Sequence, residues 1–179
     1  MKQWLKETIR KGYPVLGICF GCQLIADVLG GKITSIDKSE VGYRYMTRTR
    51  KKSRILDGLP TNFLAFEHHG DKITELPLGA ELLARDKYPV EAFRWRQTFG
   101  VQFHPEASAE IAAKTATEQY PNQSNSTLRR RATENYKKSK QVQKVFRNFI
   151  EYVDEYSHED NQNVKLPPEV KTNPKGQIK

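Results

Sequence analysis

The stretch Pro14–Gly31, PVLGICFGCQLIADVLGG, constrains this chain more than any other. Val15–Ile18 is a short apolar run that reads as a buried strand. Gly17, Cys19 and Gly21 stand at alternate positions. Leu24, Ile25, Val28 and Leu29 then recur at helical spacing up to Gly30-Gly31, a helix stop. Strand, Gly-x-Cys-x-Gly, helix is the layout of a nucleophile elbow. The turn is tight, and Gly17 and Gly21 are assigned to flanks with no room for a side chain. The Cys19 thiol then sits at the N-terminal end of a helix, where the dipole and free N–H groups favour thiolate.

Three plainer readings compete. Taken alone, Cys19 is a small buried hydrophobe. Cys19-Phe-Gly-Cys22 is also a C-x-x-C, which suits a dithiol redox centre. A C-x-x-C can be half of a zinc site, but only two cysteines exist and the adjacent pair His68-His69 lacks the usual separation between histidine ligands, so no metal is expected.

Phe99–Glu106, FGVQFHPE, supports the elbow. Phe99, Val101 and Phe103 alternate with Gly100 and Gln102 as in a strand, which ends in His104-Pro105-Glu106. Residues two apart in extended chain share a face, so His104 and Glu106 are expected side by side. A thiol nucleophile needs a base, and the base needs an orienting group. Cys19, His104 and Glu106 supply these three catalytic roles.

With GICFGCQ at Gly17–Gln23, GVQFHPE at Gly100–Glu106 and HHGD at His68–Asp71, the chain resembles the class I glutamine amidotransferases, the Cys-His-Glu triad family, and within it the GMP synthase-like branch. The likeness spans about residues 3–108 and resumes around 141–154. It departs at Cys22, where the family usually carries His. It implies L-glutamine as substrate, no cofactor, and as partner an ammonia-accepting synthetase, whether a domain or a separate subunit. By resemblance, Phe20 offers its backbone N–H to the oxyanion, Gln23 meets the α-end of glutamine, and His69, Gly70 and Asp71 lie over the substrate. It also implies an opening strand, helix and strand with a Gly-rich turn. The chain opens at the next helix, so the domain is expected to be truncated at its N-terminus.

The coarse layout is α/β: an open, mostly parallel sheet with flanking helices, the flavodoxin-like amidotransferase fold, with the site at its carboxyl edge. Residues 2–11 read as an amphipathic helix. Lys32–Ile36 and Gly42–Thr47 read as separate strands, and Asn62–Phe66 as a strand leading into a turn at HHGD. Ala80–Ala84 pairs with Val90–Trp95 around a polar turn. Residues 1–156 form the domain, with a polar insertion at about 115–140 read as a loop, a helix over 141–156, and a disordered tail at 157–179.

Lys and Arg total 30 against 21 Asp and Glu, a net charge of +9. The basic clusters at Arg48–Arg54 and Arg129–Arg147 read as solvated faces, because no nucleic-acid motif accompanies them. No apolar run approaches the ~20 residues of a membrane span. The absence of an h-region and of a disulfide framework points to a cytoplasmic setting. Two other functions remain open: a catalytically defective amidotransferase-fold module that binds a partner, and the dithiol redox protein, with a reversible Cys19–Cys22 disulfide as a hybrid.

Overall fold

The computed structural model describes residues 1–87 and 90–162. Helix α1 (Lys2–Arg10) precedes strand β1 (Val15–Ile18) and helix α2 (Phe20–Val28). Strands β2 (Lys32–Arg48), β3 (Asn62–Glu75), β4 (Glu81–Arg85), β5 (Ala92–Trp95) and β6 (Thr98–Val101) follow. Helices α3 (Ala109–Gln119), α4 (Asn125–Ser139) and α5 (Lys144–Gln162) close the chain's described part.

The six strands form one sheet in the order β1-β6-β5-β4-β2-β3. The α/β class stands, but the sheet is mixed. β1 and β6 pair parallel, while β6–β5, β5–β4, β4–β2 and β2–β3 pair antiparallel. A mostly parallel sheet was expected; short connections such as the one between β5 and β6 force antiparallel neighbours.

Each face of the sheet carries its own core. Leu5 and Ile9 of α1 and Ile25 and Val28 of α2 pack with Phe93 and Trp95. On the other face, Val145, Phe149 and Tyr152 of α5 pack with Phe99, Val101, Leu16 and Ile18. The alternation in β1 and β6 explains the split, since Leu16 and Ile18 face α5 and Gly17 faces α2.

Gly17 and Gly100 are register partners in β1 and β6. A Cβ on Gly17 would stand 2.5 Å from the Gly21 carbonyl oxygen and 2.5 Å from Ile25 Cδ1. A Cβ on Gly100 would meet Cys22 Sγ at 2.8 Å. The two glycines make a trough in which α2 lies closer to the sheet than any side chain permits. Gly21 differs from the sequence expectation. A Cβ there meets nothing within 4 Å, so no crowding requires a glycine.

Three further elements differ. Lys32–Arg48 is one long strand, with a register irregularity between Ser35 and Glu40 that takes up the polar interruption. HHGD lies within β3 rather than in a turn, because His69 and Asp71 pair with Glu40 and Ser35. The segment 115–140 is mostly helical, the end of α3 and then α4, not a loop. Its α4 hides Leu128 and Ala132 one turn apart, and Ala132 joins Ala112, Ala113 and Phe66 in a small third core. Two or three apolar contacts on a polar helix are too few to register as periodicity. The last helix also runs past Tyr156 to Gln162, into the expected tail; the rest of that tail, 163–179, lies outside the described residues. Among the described residues no helix is long and apolar enough to cross a membrane.

The trough separates the two elbow glycines by experiment. Gly17→Ala is expected to lose about 1–3 kcal/mol through overpacking. Gly21→Ala is expected to gain about 0.5–1 kcal/mol from helix propensity. Urea unfolding of both variants measures the contrast.

Candidate active site

Cys19 stands between β1 and α2 with φ 48° and ψ −106°, a left-handed conformation in a non-glycine residue. Such a backbone costs on the order of 1–3 kcal/mol and persists only where its surroundings hold it. Here the Cys19 N–H donates to the Val101 carbonyl at 2.8 Å, tying the turn to the end of β6. The first intrahelical bond, from Gln23 N–H to Cys19 O, spans 3.1 Å. The N–H groups of Phe20, Gly21 and Cys22 precede that bond, as orphan donors at a helix start do.

The parallel pairing of β1 and β6 aligns their carboxyl ends, with Ile18 opposite Val101. The chain after β6 therefore passes beside Cys19. The His104 N–H donates to the Phe66 carbonyl of β3 at 2.8 Å, which fixes where the imidazole stands. His104 Nδ1 and Glu106 Oε1 are 2.6 Å apart. They meet across a turn, in which the Ala107 N–H donates to His104 O at 3.2 Å, rather than along extended chain. Nε2 is buried and free for proton transfer, and Cys19 lies within interaction range of the ring.

Burial alone would push the His104 imidazole down. The Cys19 sulfur and the Glu106 carboxylate outweigh it and carry the pKa up to about 10. Burial works to raise Glu106 as well, but His104 brings it below the usual carboxylate range. The pair is built to hold an imidazolium beside sulfur at neutral pH.

Of the other expected site residues, Phe20 has an exposed side chain, while Gln23 is buried. Gln23 Nε2 donates to Asp71 O at 3.0 Å and to Gln102 Oε1 at 3.2 Å, so its amide nitrogen serves the scaffold. His69 points inward. Its Nδ1 donates to Asp71 O at 2.8 Å, and its Nε2 lies 3.0 Å from Glu67 Oε2. Asp71 Oδ1 accepts from the Ser35 hydroxyl at 2.6 Å. Gly70 leaves room, with Ser39 Oγ 3.4 Å from a Cβ built there. The HHGD residue nearest the thiol is His68, whose carbonyl oxygen is 3.6 Å from Cys19 Sγ. A cleft of about 240 Å³ opens between Phe66, His68, His104, Glu106 and Ile111. A larger cavity of about 360 Å³, between β2 and the α3–α4 pair, holds none of the triad.

Cys22 is fully buried against Gly100. Burial, with Glu91 and Cys19 nearby, pushes its thiol well up, which is the reverse of what a dithiol exchange centre requires. Both cysteines are free. Among the described residues no group of His, Cys, Asp or Glu is arranged to hold a metal ion.

Sequence reasoning missed a buried acid cluster behind the site. Glu40, Glu67 and Glu91 are each no more than 4 % exposed, and His69 lies among them. Arg44 and Lys87 pair with Glu40 at 2.6 and 3.1 Å. Burial raises the Glu67 carboxyl to about 8 and the Glu91 carboxyl to about 10. In the sequence each is one charged residue beside strand-forming neighbours, indistinguishable from a surface position. Gln102 was likewise read only as the polar position of an alternating strand, yet it is 1 % exposed and its Nε2 lies 3.6 Å from Cys19 Sγ.

Residues 1–120 match the family model described as glutamine amidotransferase class-I. The chain belongs to the class-I glutamine amidotransferases. Among relatives, the GMP synthase [glutamine-hydrolyzing] of Aquifex aeolicus is 39% identical over 112 residues, covering 61% of this chain and 22% of that protein. The protein of the same name from Chromobacterium violaceum is 43% identical over 108 residues, 54% of this chain and 20% of that one. The chain thus spans about a fifth of the length of these relatives. A glutamine amidotransferase structure from Thermotoga maritima superimposes with a TM-score of 0.70 at 25% identity, covering 85% of this chain and 67% of the other. A glutamine amidotransferase structure from Methylobacillus flagellatus shares the fold, with a TM-score of 0.62 at 20% identity over 84% of this chain and 67% of its own.

The buried acid pair gives this amidotransferase fold a testable pH signature. A carboxyl raised by folding binds its proton more tightly in the native state. Stability is therefore full below the unfolded carboxyl pKa and falls as pH rises towards the folded one. Glu91→Gln removes that loss. It is expected to raise stability by on the order of 1 kcal/mol at pH 8, and by less at pH 5. Thermal unfolding at the two pH values checks the difference.

Proposed function

We propose that this chain hydrolyses the side-chain amide of L-glutamine and supplies the ammonia to a synthetase, in the manner its GMP synthase relatives' name describes. The observation that carries the reading is Cys19 at φ 48° on an elbow, beside a His104 whose Nδ1 is 2.6 Å from Glu106.

The steps follow from the charges. The Cys19 thiolate attacks the carboxamide carbon while His104 is protonated. The carbonyl electrons move onto oxygen, and the oxyanion receives a hydrogen bond from the Phe20 N–H at the start of α2. His104 Nε2 gives its proton to the departing nitrogen, and ammonia leaves a γ-glutamyl thioester. Water then donates a proton to the neutral imidazole and attacks the thioester. Glutamate departs, and the thiolate–imidazolium pair is restored. Glu106 accepts from Nδ1–H throughout, which fixes the tautomer and stabilises the charged ring.

Gly70 and Asp71 bound the substrate through the β3 backbone in this reading. Gln23 acts from behind, since its nitrogen is already engaged. The acceptor of the ammonia is a nucleotide-binding synthetase such as an ATP-pyrophosphatase subunit. The free thiols Cys19 and Cys22 suit a reducing, cytoplasmic compartment.

The test is ammonia release from L-glutamine, by the chain alone and mixed with an ATP-pyrophosphatase synthetase subunit. Release is expected to vanish in Cys19→Ser and to fall by roughly 1000-fold or more in His104→Ala. Cys22→Ser is expected to retain it. Release that survives Cys19→Ser would overturn the assignment. Activity lost in Cys22→Ser as well as in Cys19→Ser would favour the dithiol alternative.

A further inference from the structure

Gln102 follows β6 and lies opposite the elbow. Its N–H donates to the Glu91 carbonyl at 2.8 Å, which anchors its backbone to the segment entering β5. Its side-chain nitrogen Nε2 is 3.6 Å from Cys19 Sγ, and its oxygen Oε1 accepts from Gln23 Nε2 at 3.2 Å.

The direction of that amide follows from its partners. The Asp71 carbonyl can only accept, so the Gln23 nitrogen must face it, at 3.0 Å. The same nitrogen then presents a donor to Gln102, which answers with its oxygen. The Gln102 nitrogen is left facing sulfur. Turning the amide over would set nitrogen against nitrogen and oxygen against sulfur, at a residue buried from solvent. His69 Nδ1–H shares the Asp71 carbonyl at 2.8 Å and holds it in place.

The sulfur therefore has two kinds of neighbour. The His68 carbonyl, at 3.6 Å, can take a hydrogen bond from the thiol but offers nothing to a thiolate. The Gln102 N–H can donate to a thiolate, and such a charge-assisted bond is stronger than its neutral counterpart. Ionisation of Cys19 exchanges one partner for the other.

We propose that Gln102 is a positioning residue for the nucleophile, its amide N–H favouring the Cys19 thiolate, and that Gln23 sets the direction of that amide. The proposal rests on Cys19 being the nucleophile, but it concerns the sulfur's own ionisation, and its test needs no turnover. Among the described residues, the ionisable groups around the sulfur include His104 and Glu106 after β6, Cys22 on α2, His68, His69 and Glu67 on β3, and Glu91 before β5. All of them are unchanged in the variants used.

The experiment is the pH–rate profile of iodoacetamide alkylation of the intact chain, with the residual signal of Cys19→Ser subtracted. Gln102→Met keeps the side chain's bulk and removes the donor. Its profile is expected to move to higher pH, with alkylation at neutral pH slowed by about tenfold. Gln102→Leu, which also lacks the donor, should move it in the same direction. Gln23→Met leaves Gln102 in place but frees its amide, and should move the profile in the same direction by less. A residue that merely fills a buried slot would lower the melting temperature and leave the profile where it was. Profiles of all three variants that superimpose on the native one would overturn the proposal. Should Gln102→Met fail to fold, Gln102→Leu and Gln23→Met carry the same comparison. If Cys19 were not the nucleophile, hydrolysis would persist in Cys19→Ser, which is a separate result from these profiles.

Discussion

The site depends on how closely α2 lies on the sheet. Gly17 and Gly100, opposite each other in β1 and β6, leave a trough that the start of α2 fills. Because the helix begins so near the strand end, the chain must turn within one residue. That residue is Cys19, in a left-handed conformation that L side chains rarely adopt. The strain is local, and the bond from the Cys19 N–H to Val101 holds it. Packing thus sets the backbone, the backbone aims the thiol, and the parallel β1–β6 pair brings the other catalytic candidates to the same edge.

Electrostatics act on two levels around that thiol. Nearer the surface, His104 and Glu106 form a pair, and the sulfur beside the imidazole helps to raise it. Beneath it, Glu67, Glu91 and His69 occupy a buried polar layer that shares its contacts with the Gln23–Gln102 amides. A buried carboxyl that keeps its proton carries no charge, so this layer lies behind the thiol without placing a full negative charge there. The cost is borne by stability at higher pH.

The elbow and the His-Pro-Glu segment were legible in the sequence because each compresses its chemistry into a few contiguous residues. The α/β class was legible because strand and helix periods alternate. Strand direction was not, since a period of two is the same in either direction and only the connections decide it. The helix α4 was hidden by its composition, as Leu128 and Ala132 are its main apolar contacts. Gly21 showed the opposite error, because a motif suggested crowding where the structure is open. Gln102, Glu67 and Glu91 were illegible for another reason. Whether a polar residue in a strand faces water or a core depends on what packs over it, and α2 and its neighbours are remote in sequence.

The central claim is that the elbow sets the Cys19 sulfur beside an imidazole that it helps keep protonated. The most direct measurement is a nitrogen-15 NMR titration of the His104 ring in the native chain and in Cys19→Ser. A raised imidazole pKa means that the pair's stabilisation is full below the ordinary histidine value and is lost as pH rises through the raised one. The account predicts an imidazolium that persists towards pH of about 10 in the native chain and titrates markedly lower once the thiol is gone. An imidazole that titrates in the ordinary histidine range, with or without Cys19, would contradict it.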